Sequence, residues 1–352
     1  MISKTVDTKK ILTIAGTRPE ITKLSPLVNK LESNVLLTGQ HHSKDMRENF
    51  LTLLGTSNIE KFDVGGYENF GVNKYKIVDS LSNFLKKRSE ELIIVLGDTN
   101  TTLSGAIAAK ASNKKLLFLE SGMRSYDLNQ IEEFNRVIVS HMADYNFCNH
   151  ETNVDNLLKE GVDKKKIFLT GSTVYSSINN IDRKEKIDES DYILLTLHRP
   201  ENVDDIKKLS LLIEGLAKIE SKIIFPVHPR TKQKLENSNI EKFSNINYIE
   251  PQDYKSFLGL ITNSRFVISD SGGVQEECMI LRKPLIIPRD YTERKEMLGI
   301  FNILTPSVDE VILETQKLVE GKSLISKSVL SSNLLYGKSE VIEKMVDLIN
   351  KF

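Results

Sequence analysis

Along the chain, short apolar runs alternate with amphipathic stretches, the pattern of α/β domains built on parallel sheets. Ile11 to Ala15, Val35 to Thr38, Leu92 to Leu96, Leu116 to Leu119, Tyr145 to Cys148 and Ile167 to Thr170 read as one set of strands. A second set is Tyr192 to Leu197, Lys222 to Val227, Asn247 to Ile249, Phe266 to Ser269 and Pro284 to Ile287. Between the sets, Asn179 to Asp191 (N-N-I-D-R-K-E-K-I-D-E-S-D) is charged and poor in apolar residues, as an interdomain connection should be. Near the end, Val341, Ile342, Met345, Val346 and Ile349 recur at helical spacing. The reading is an N-terminal Rossmann-like domain over residues 1–175, a C-terminal one over 176–334, and a final helix within 335–352 that packs back on the first.

Length and composition agree with this division. A chain of 352 residues exceeds one typical core, so two domains are expected. Lysine plus arginine (48) balance aspartate plus glutamate (48), which argues against a protein built to coat nucleic acid or an anionic membrane. Cys148 and Cys278 are far apart and have neither metal-site spacing nor a disulfide framework, so a reducing cytoplasm is expected. The N-terminus, M-I-S-K-T-V-D-T-K-K, lacks an apolar core and no run approaches a membrane span, so neither export nor anchoring is expected.

The stretch R-F-V-I-S-D-S-G-G-V-Q-E-E from Arg265 to Glu277 carries the most chemistry. A buried strand runs into a small polar turn, Asp270 to Gly273, and helical spacing begins at Val274 with Cys278 and Leu281 on the same face. Backbone N–H groups at a helix start have no internal acceptor and, with the helix dipole behind them, suit a diphosphate. Glu277, about a turn further on, would then reach ribose hydroxyls. The plainer reading is a strand-to-helix turn with Ser271 as N-cap and glycines chosen for backbone freedom.

Where the other capable side chains fall tips that balance. Gly16-Thr17-Arg18, Gly97-Asp98 and Glu120 each follow a strand of the first set directly. His198-Arg199, His228-Pro229-Arg230 and Arg289-Asp290 do so in the second. Open α/β sheets bind ligands outside the carboxyl ends of their strands, so two such edges facing each other would line an interdomain cleft. The first half contributes carboxylates and the second the nucleotide turn.

These segments resemble the non-hydrolysing UDP-N-acetylglucosamine 2-epimerase family, and in wording its archaeal-type members. The matching runs are G-T-R-P-E-I-T-K-L-S-P at Gly16, T-G-Q-H at Thr38, G-D-T-N-T-T-L-S-G at Gly97, E-S-G-M-R at Glu120 and E-E-F-N-R at Glu132. They continue with H-R-P-E-N at His198, H-P-R-T at His228, D-S-G-G-V-Q-E-E at Asp270 and R-D-Y-T-E-R at Arg289, in the family's order. The resemblance implies a GT-B-like α/β fold, a homodimer, and reversible inversion at carbon 2 of the sugar. In that reaction a base removes the carbon 2 proton while UDP leaves carbon 1, giving 2-acetamidoglucal, and UDP then re-adds with protonation on the opposite face. Positioned carboxylates and a group to ease departure of the diphosphate are what this chemistry needs.

Carried onto matching positions, the resemblance implies that Asp98, Glu120 and Glu132 are the acid/base carboxylates and that His198 acts beside the diphosphate. Arg18 and Lys23 would neutralise phosphates, Ser271, Gly272 and Gly273 would supply donors, Glu277 would hold the ribose, and Arg136 and His228 would complete the pocket. Plainer readings stand beside these: Arg18 and Lys23 as solvated cations at a helix start, Arg136 as a helix-face salt bridge, Asp98 as N-cap of a helix near Thr101, Glu132 and Glu133 as a solvated face. The chain departs from the family pattern at Phe118, usually histidine, and at Ile131 and Lys295, usually proline. Gln40 and His41 are kept, but the residues after them and Phe70 to Lys76 fit the family's activating substrate site poorly, so activation by substrate is not expected. Adjacent His41 and His42 would point to opposite faces of a strand, and no carboxylate-histidine spacing accompanies them, so no metal and no redox cofactor are expected. Alternatives are an epimerase of a modified UDP-amino sugar, a GT-B glycosyltransferase, a hydrolysing epimerase and a non-catalytic nucleotide-sugar sensor.

Overall fold

Strands that are apolar at every position need cover on both faces, and both sheets of this protein have it. The computed structural model describes residues 10–38, 52–55, 58–62, 74–181, 191–238, 240 and 242–352. Gln40, His41, His42, Phe70 and most of the charged connection, 182–190, lie outside these residues. The chain divides into one unit of Met1–Asn179 with Leu335–Phe352 and a second of Asn180–Leu334.

The first unit holds β1 (Ile11–Ala15), β2 (Asn34–Leu37), β3 (Ile59–Lys61), β4 (Leu92–Leu96), β5 (Lys115–Leu119), β6 (Tyr145–Cys148) and β7 (Ile167–Leu169). They pair in parallel in the order β3-β2-β1-β4-β5-β6-β7. Alternate residues serve opposite faces. Ile11 and Ala15 of β1 join Leu24, Leu27, Val28 and Leu31 of the helix Arg18–Leu31. Leu12 and Ile14 join Leu81 and Leu85 of the helix Lys74–Lys86 and Ala106 and Ala109 of the helix Asn100–Ala111.

The helix Glu340–Ile349 belongs to this unit although 155 residues of the second unit, 180–334, precede its return. Val341, Ile342, Met345 and Ile349 are buried in the same core cluster as Leu24 and Val28. Each such side chain stabilises the docking by about 1.5–3 kcal/mol before entropy is counted. Gly171 sits at φ 96°, and a Cβ there would lie 2.4 Å from the carbonyl oxygen of Tyr336. The same oxygen accepts from the N–H of Ser172, which fixes where the returning chain lies.

The second unit holds β8 (Tyr192–Thr196), β9 (Lys222–Pro226), β10 (Ile246–Ile249), β11 (Phe266–Ser269), β12 (Leu285–Ile287) and β13 (Asn302–Leu304). All are parallel, in the order β10-β9-β8-β11-β12-β13. The expected fold class, two Rossmann-like α/β units with parallel sheets, is the one found. β3 and β13, absent from the expected strands, are three-residue edge strands, and an edge pairs on one side only. Both sequences, I-E-K and N-I-L, are too short and too polar to stand out as apolar runs.

The two sheets share one topological feature that positions everything below. In the first, the chain winds outward from β1 towards β3 and, after crossing back, from β4 towards β7, so the winding reverses between β1 and β4. In the second, it reverses between β8 and β11. Loops leaving the carboxyl ends of strands at such a switch point diverge and leave a crevice.

Candidate active site

In the first unit the loops at the switch point are Gly16-Thr17 after β1 and Gly97 to Thr99 after β4. Thr17 starts the helix Arg18–Leu31, and Glu20 three residues on reaches back, accepting from the N–H groups of Gly16 at 2.9 Å and Thr17 at 2.7 Å. Its second oxygen accepts from the Thr99 hydroxyl at 2.6 Å and lies 3.0 Å from that of Thr102. Glu20 thus ties both loops together from beneath. Its burial, outweighing the hydrogen bonds from Thr99, Gly16, Thr17 and Thr102, holds the carboxyl above the ordinary glutamate range.

Asp98 does not cap the following helix. Thr99 does, accepting from the N–H of Thr102 at 3.1 Å. The Asp98 carboxylate instead pairs with Nη2 of Arg136, and its carbonyl accepts from Asn135 Nδ2 at 2.8 Å. Both partners stand on the helix Ile131–Met142. Nη1 of Arg136 donates to Glu133 at 2.8 Å, and Glu133 also accepts from the N–H groups of Ser125 at 3.0 Å and Tyr126 at 2.8 Å. The glutamate pair therefore divides: Glu133 is buried and holds loop and arginine, whereas Glu132 is half-buried.

Glu120 directly follows β5 with φ at 62°, a left-handed conformation that non-glycine residues enter at a cost of about 1–3 kcal/mol and that clusters at functional sites. Its carboxylate meets Lys23 Nζ at 2.5 Å, and both side chains are buried. Phe118, where the family pattern has histidine, packs in the core with Leu12, Val95 and Val139. Arg18 is half-buried at the first helical position after Thr17.

In the second unit, His198 and Arg199 follow β8, His228 follows β9, and Asp270 and Ser271 follow β11. Asp270 is fully buried and accepts from the backbone N–H of His198 at 3.1 Å, that of Arg199 at 3.0 Å and Asn202 Nδ2 at 3.0 Å. Nδ1 of His198 lies 3.0 Å from its other oxygen. Burial pushes the Asp270 carboxyl up, but His198, Asn202 and the Arg199 N–H together hold it below the ordinary aspartate range. The rings of His198 and His228 are 5.3 Å apart. His228 itself caps the helix Pro229–Glu236, its side chain accepting from the N–H of Arg230 at 3.2 Å.

Both glycines expected in the turn after β11 are instead the first two residues of the helix Gly272–Ile280. Neither is among the glycines of positive φ, so backbone freedom is not what they supply. A Cβ on Gly272 would lie 2.6 Å from Glu293 Oε1, whereas one on Gly273 would meet nothing within 4 Å among the described residues. Ser271 stands at the N-cap position without a side-chain capping bond. From below, Thr292 donates to Gln275 at 2.8 Å and Arg294 Nε to Glu276 at 2.9 Å, while Arg294 Nη1 pairs with Glu293. The T-E-R of R-D-Y-T-E-R thus clamps this helix start. Glu277 is half-buried one turn further on.

The structure therefore brings Arg136 to Asp98, Lys23 to Glu120 and His198 beside His228, and places Arg18, Ser271, Gly272 and Gly273 at helix starts after β1 and β11, with Glu132 in the first turn of its helix and Glu277 a turn into its own. Sequence reasoning assigned no functional role to Glu20, Glu133 or Asp270, and its plainer reading of Glu133 as part of a solvated face is overturned by burial of that side chain against Arg136 and the N–H groups of Ser125 and Tyr126. For Glu20 a signal was present, because Thr17-x-x-Glu20 is a capping-box spacing. Among the described residues no group of three or more histidine, cysteine, aspartate or glutamate side chains is arranged to hold a metal ion. None of the described helices is long and apolar enough to cross a membrane.

Two parallel-sheet units, each concentrating its charged and glycine-bearing loops at a switch point, define an α/β protein of the nucleotide-sugar type. Residues 27–350 match the family profile described as UDP-N-acetylglucosamine 2-epimerase. A UDP-N-acetylglucosamine 2-epimerase of Methanocaldococcus jannaschii is 36% identical over 89% of this chain and 93% of its own length. A crystal structure of a Methanocaldococcus jannaschii UDP-GlcNAc 2-epimerase in complex with UDP-GlcNAc and UDP superposes with a TM-score of 0.84 at 34% identity, covering 97% of this chain and 99% of that one. A Pseudomonas aeruginosa UDP-2,3-diacetamido-2,3-dideoxy-D-glucuronate 2-epimerase is 30% identical over 97% of this chain and 99% of its own length. The chain belongs to the UDP-N-acetylglucosamine 2-epimerase family.

Proposed function

We propose that the protein interconverts UDP-N-acetylglucosamine and UDP-N-acetylmannosamine by inversion at carbon 2. A carboxylate removes the carbon 2 proton as the bond from carbon 1 to the diphosphate oxygen breaks, and the electron pair of that bond leaves with UDP. UDP adds back to the 2-acetamidoglucal, with a proton delivered to the other face of carbon 2. The observation that carries the reading is the pair of carboxylate–cation contacts in the first unit, Asp98 with Arg136 and Glu120 with Lys23, on loops at the carboxyl ends of neighbouring strands.

Asp98, Glu120 and Glu132 are the proton-transfer groups in this proposal. The Lys23–Glu120 contact supports a part for Lys23 beside those groups as well as its expected attraction for phosphate. Arg18 neutralises the diphosphate, and the N–H groups at Ser271, Gly272 and Gly273 donate to it. The open space beside Gly273 and the absence of a Ser271 cap support this assignment. Glu277 binds the ribose, Arg136 holds Asp98, and His198, next to His228, acts at the departing diphosphate. A homodimer in the cytoplasm is part of the proposal, and sedimentation velocity on purified protein tests the dimer.

Proton NMR with UDP-N-acetylglucosamine in deuterated water, with no metal, nicotinamide or acceptor added, tests the reaction. UDP-N-acetylmannosamine carrying deuterium at carbon 2 is the expected product. Free N-acetylmannosamine with UDP would replace the proposal by a hydrolysing reaction. A second reading, a 2-epimerase of a modified UDP-amino sugar, is favoured by the Pseudomonas aeruginosa relative, and turnover of a 2,3-diacetamido substrate in preference to UDP-N-acetylglucosamine would establish it.

A further inference from the structure

The Asp270–His198 contact fixes more than the position of a side chain. Asp270 is fully buried, and around it stand the N–H groups of His198 and Arg199, the Asn202 amide and His198 Nδ1, the last at 3.0 Å. An ionised carboxylate only accepts hydrogen bonds, so Nδ1 at this distance must carry a hydrogen. With Nδ1 committed, Nε2 is the ring nitrogen left for a ligand. The imidazole keeps about a third of its surface, 32%, exposed.

From this geometry we infer that Asp270 is a positioning residue for the reaction: it keeps a hydrogen on His198 Nδ1, so that the second proton of the imidazolium sits on Nε2, and it compensates that charge, so that the imidazolium Nε2–H serves the departing diphosphate. As the bond from carbon 1 to oxygen breaks, its electron pair goes to the diphosphate oxygen, and the Nε2 proton is donated there. Re-addition returns that proton to Nε2. The inference rests on the epimerase reading above and adds to it a residue that never touches substrate. An amide at position 270 would present an N–H2 to donors that now face only oxygens. The tautomer with a bare Nδ1 and a protonated Nε2 would then be favoured, and the imidazolium would lose its counter-charge.

The test uses the full chain labelled with nitrogen-15 at its six histidines, with His198→Gln identifying the resonances of His198. Long-range proton–nitrogen spectra of the wild type should show His198, when neutral, as Nδ1–H. Asp270→Asn should switch it to Nε2–H and lower kcat by on the order of 10²–10⁴-fold, the range for loss of general acid–base assistance, with KM and UDP affinity changed less than about tenfold. A wild-type Nε2–H tautomer would overturn the inference even if Asp270→Asn failed to fold. So would a folded Asp270→Asn enzyme with kcat within about threefold of wild type while His198→Gln is crippled. Full activity of His198→Gln would instead overturn the part given to His198, and wild-type protein that turns over no UDP-N-acetylglucosamine would overturn the epimerase reading itself.

Discussion

The Lys23–Glu120 ion pair makes the sharpest claim about energetics. Its atoms are 2.5 Å apart and its side chains are only 11% and 6% exposed, so solvent screening discounts it little. Removing one partner of a buried pair leaves a charge that water no longer solvates, at a cost of about 3–5 kcal/mol, whereas replacing both by neutral groups of similar shape is often close to neutral. Lys23→Met and Glu120→Gln should therefore each destabilise the first unit by about 3 kcal/mol. The double variant should lie within about 1 kcal/mol of wild type, not at the additive value of about 6 kcal/mol.

The chain has no tryptophan, so urea unfolding is best followed by far-ultraviolet circular dichroism. With a denaturant slope of about 2 kcal/mol per molar, each single variant should move the first unit's midpoint down by about 1–2 M. The transition of the second unit, which contains neither residue, should stay in place. Additive losses, or a Lys23→Met protein that unfolds like wild type, would refute the reasoning. A stable but inactive double variant would further separate the pair's part in catalysis from its part in folding.

Other perturbations address single contacts. Asp98→Asn keeps the size of the side chain that Arg136 holds but removes its charge, so epimerisation should fall by about 10²–10⁴-fold while calorimetry shows UDP binding intact; unchanged turnover would remove Asp98 from the mechanism. Gly273→Ala places its methyl where nothing among the described residues lies within 4 Å, so thermal stability should equal or exceed wild type, by up to about 1 kcal/mol, while UDP affinity drops about tenfold or more. Equal UDP affinity would mean that no ligand approaches that backbone. Glu20 titrates above its ordinary range because burial is the dominant influence on it. A carboxyl whose folded-state value is raised contributes stability that is complete below the unfolded value and lost as pH rises through the folded one. The stability of wild type relative to Glu20→Gln should thus grow as pH falls from above the ordinary glutamate range into it, and a flat or opposite trend in paired urea titrations would contradict the assignment.

How much of this was legible in the sequence depends on where the partner of each residue lies in the chain. Interior strands such as L-I-I-V-L and Y-I-L-L-T announced themselves because both faces are covered, so every position is apolar. β3 and β13 did not, each being three residues long with a charged or amide side chain among them, whereas the equally short edge strand β7, I-F-L, is wholly apolar and did. Of the site residues named from sequence, Asp98, Glu120, His198 and His228 stand just beyond a strand, where an α/β sheet exposes chemistry whatever its partners, whereas Lys23, Glu132 and Arg136 stand inside helices and were named from the family resemblance. The residues that hold them escaped because their contacts are remote: Glu20 meets Thr99 79 positions on, and Asp270 meets the N–H of Arg199 71 positions back. Arg136 and Lys23 were named, but not their partners, which are as remote: Asp98 lies 38 residues from Arg136, and Glu120 97 from Lys23.

For the glycines of D-S-G-G the structure overturns one of the two readings, that of backbone freedom. Sequence alone suggested freedom of φ, whereas Gly272 is small because Glu293 and Arg294 fill the space beneath it, 20 and more positions later. The adjacent Gly273 carries the functional argument, because nothing in its own unit explains its lack of a side chain. A glycine that is helical, has an ordinary φ and faces open space is disfavoured by about 1 kcal/mol relative to alanine. It is retained at a net cost to the fold unless something approaches its backbone. Under the proposed function the diphosphate would make that approach at the start of the helix, with the Asp270-held His198 on the neighbouring loop to meet its leaving oxygen.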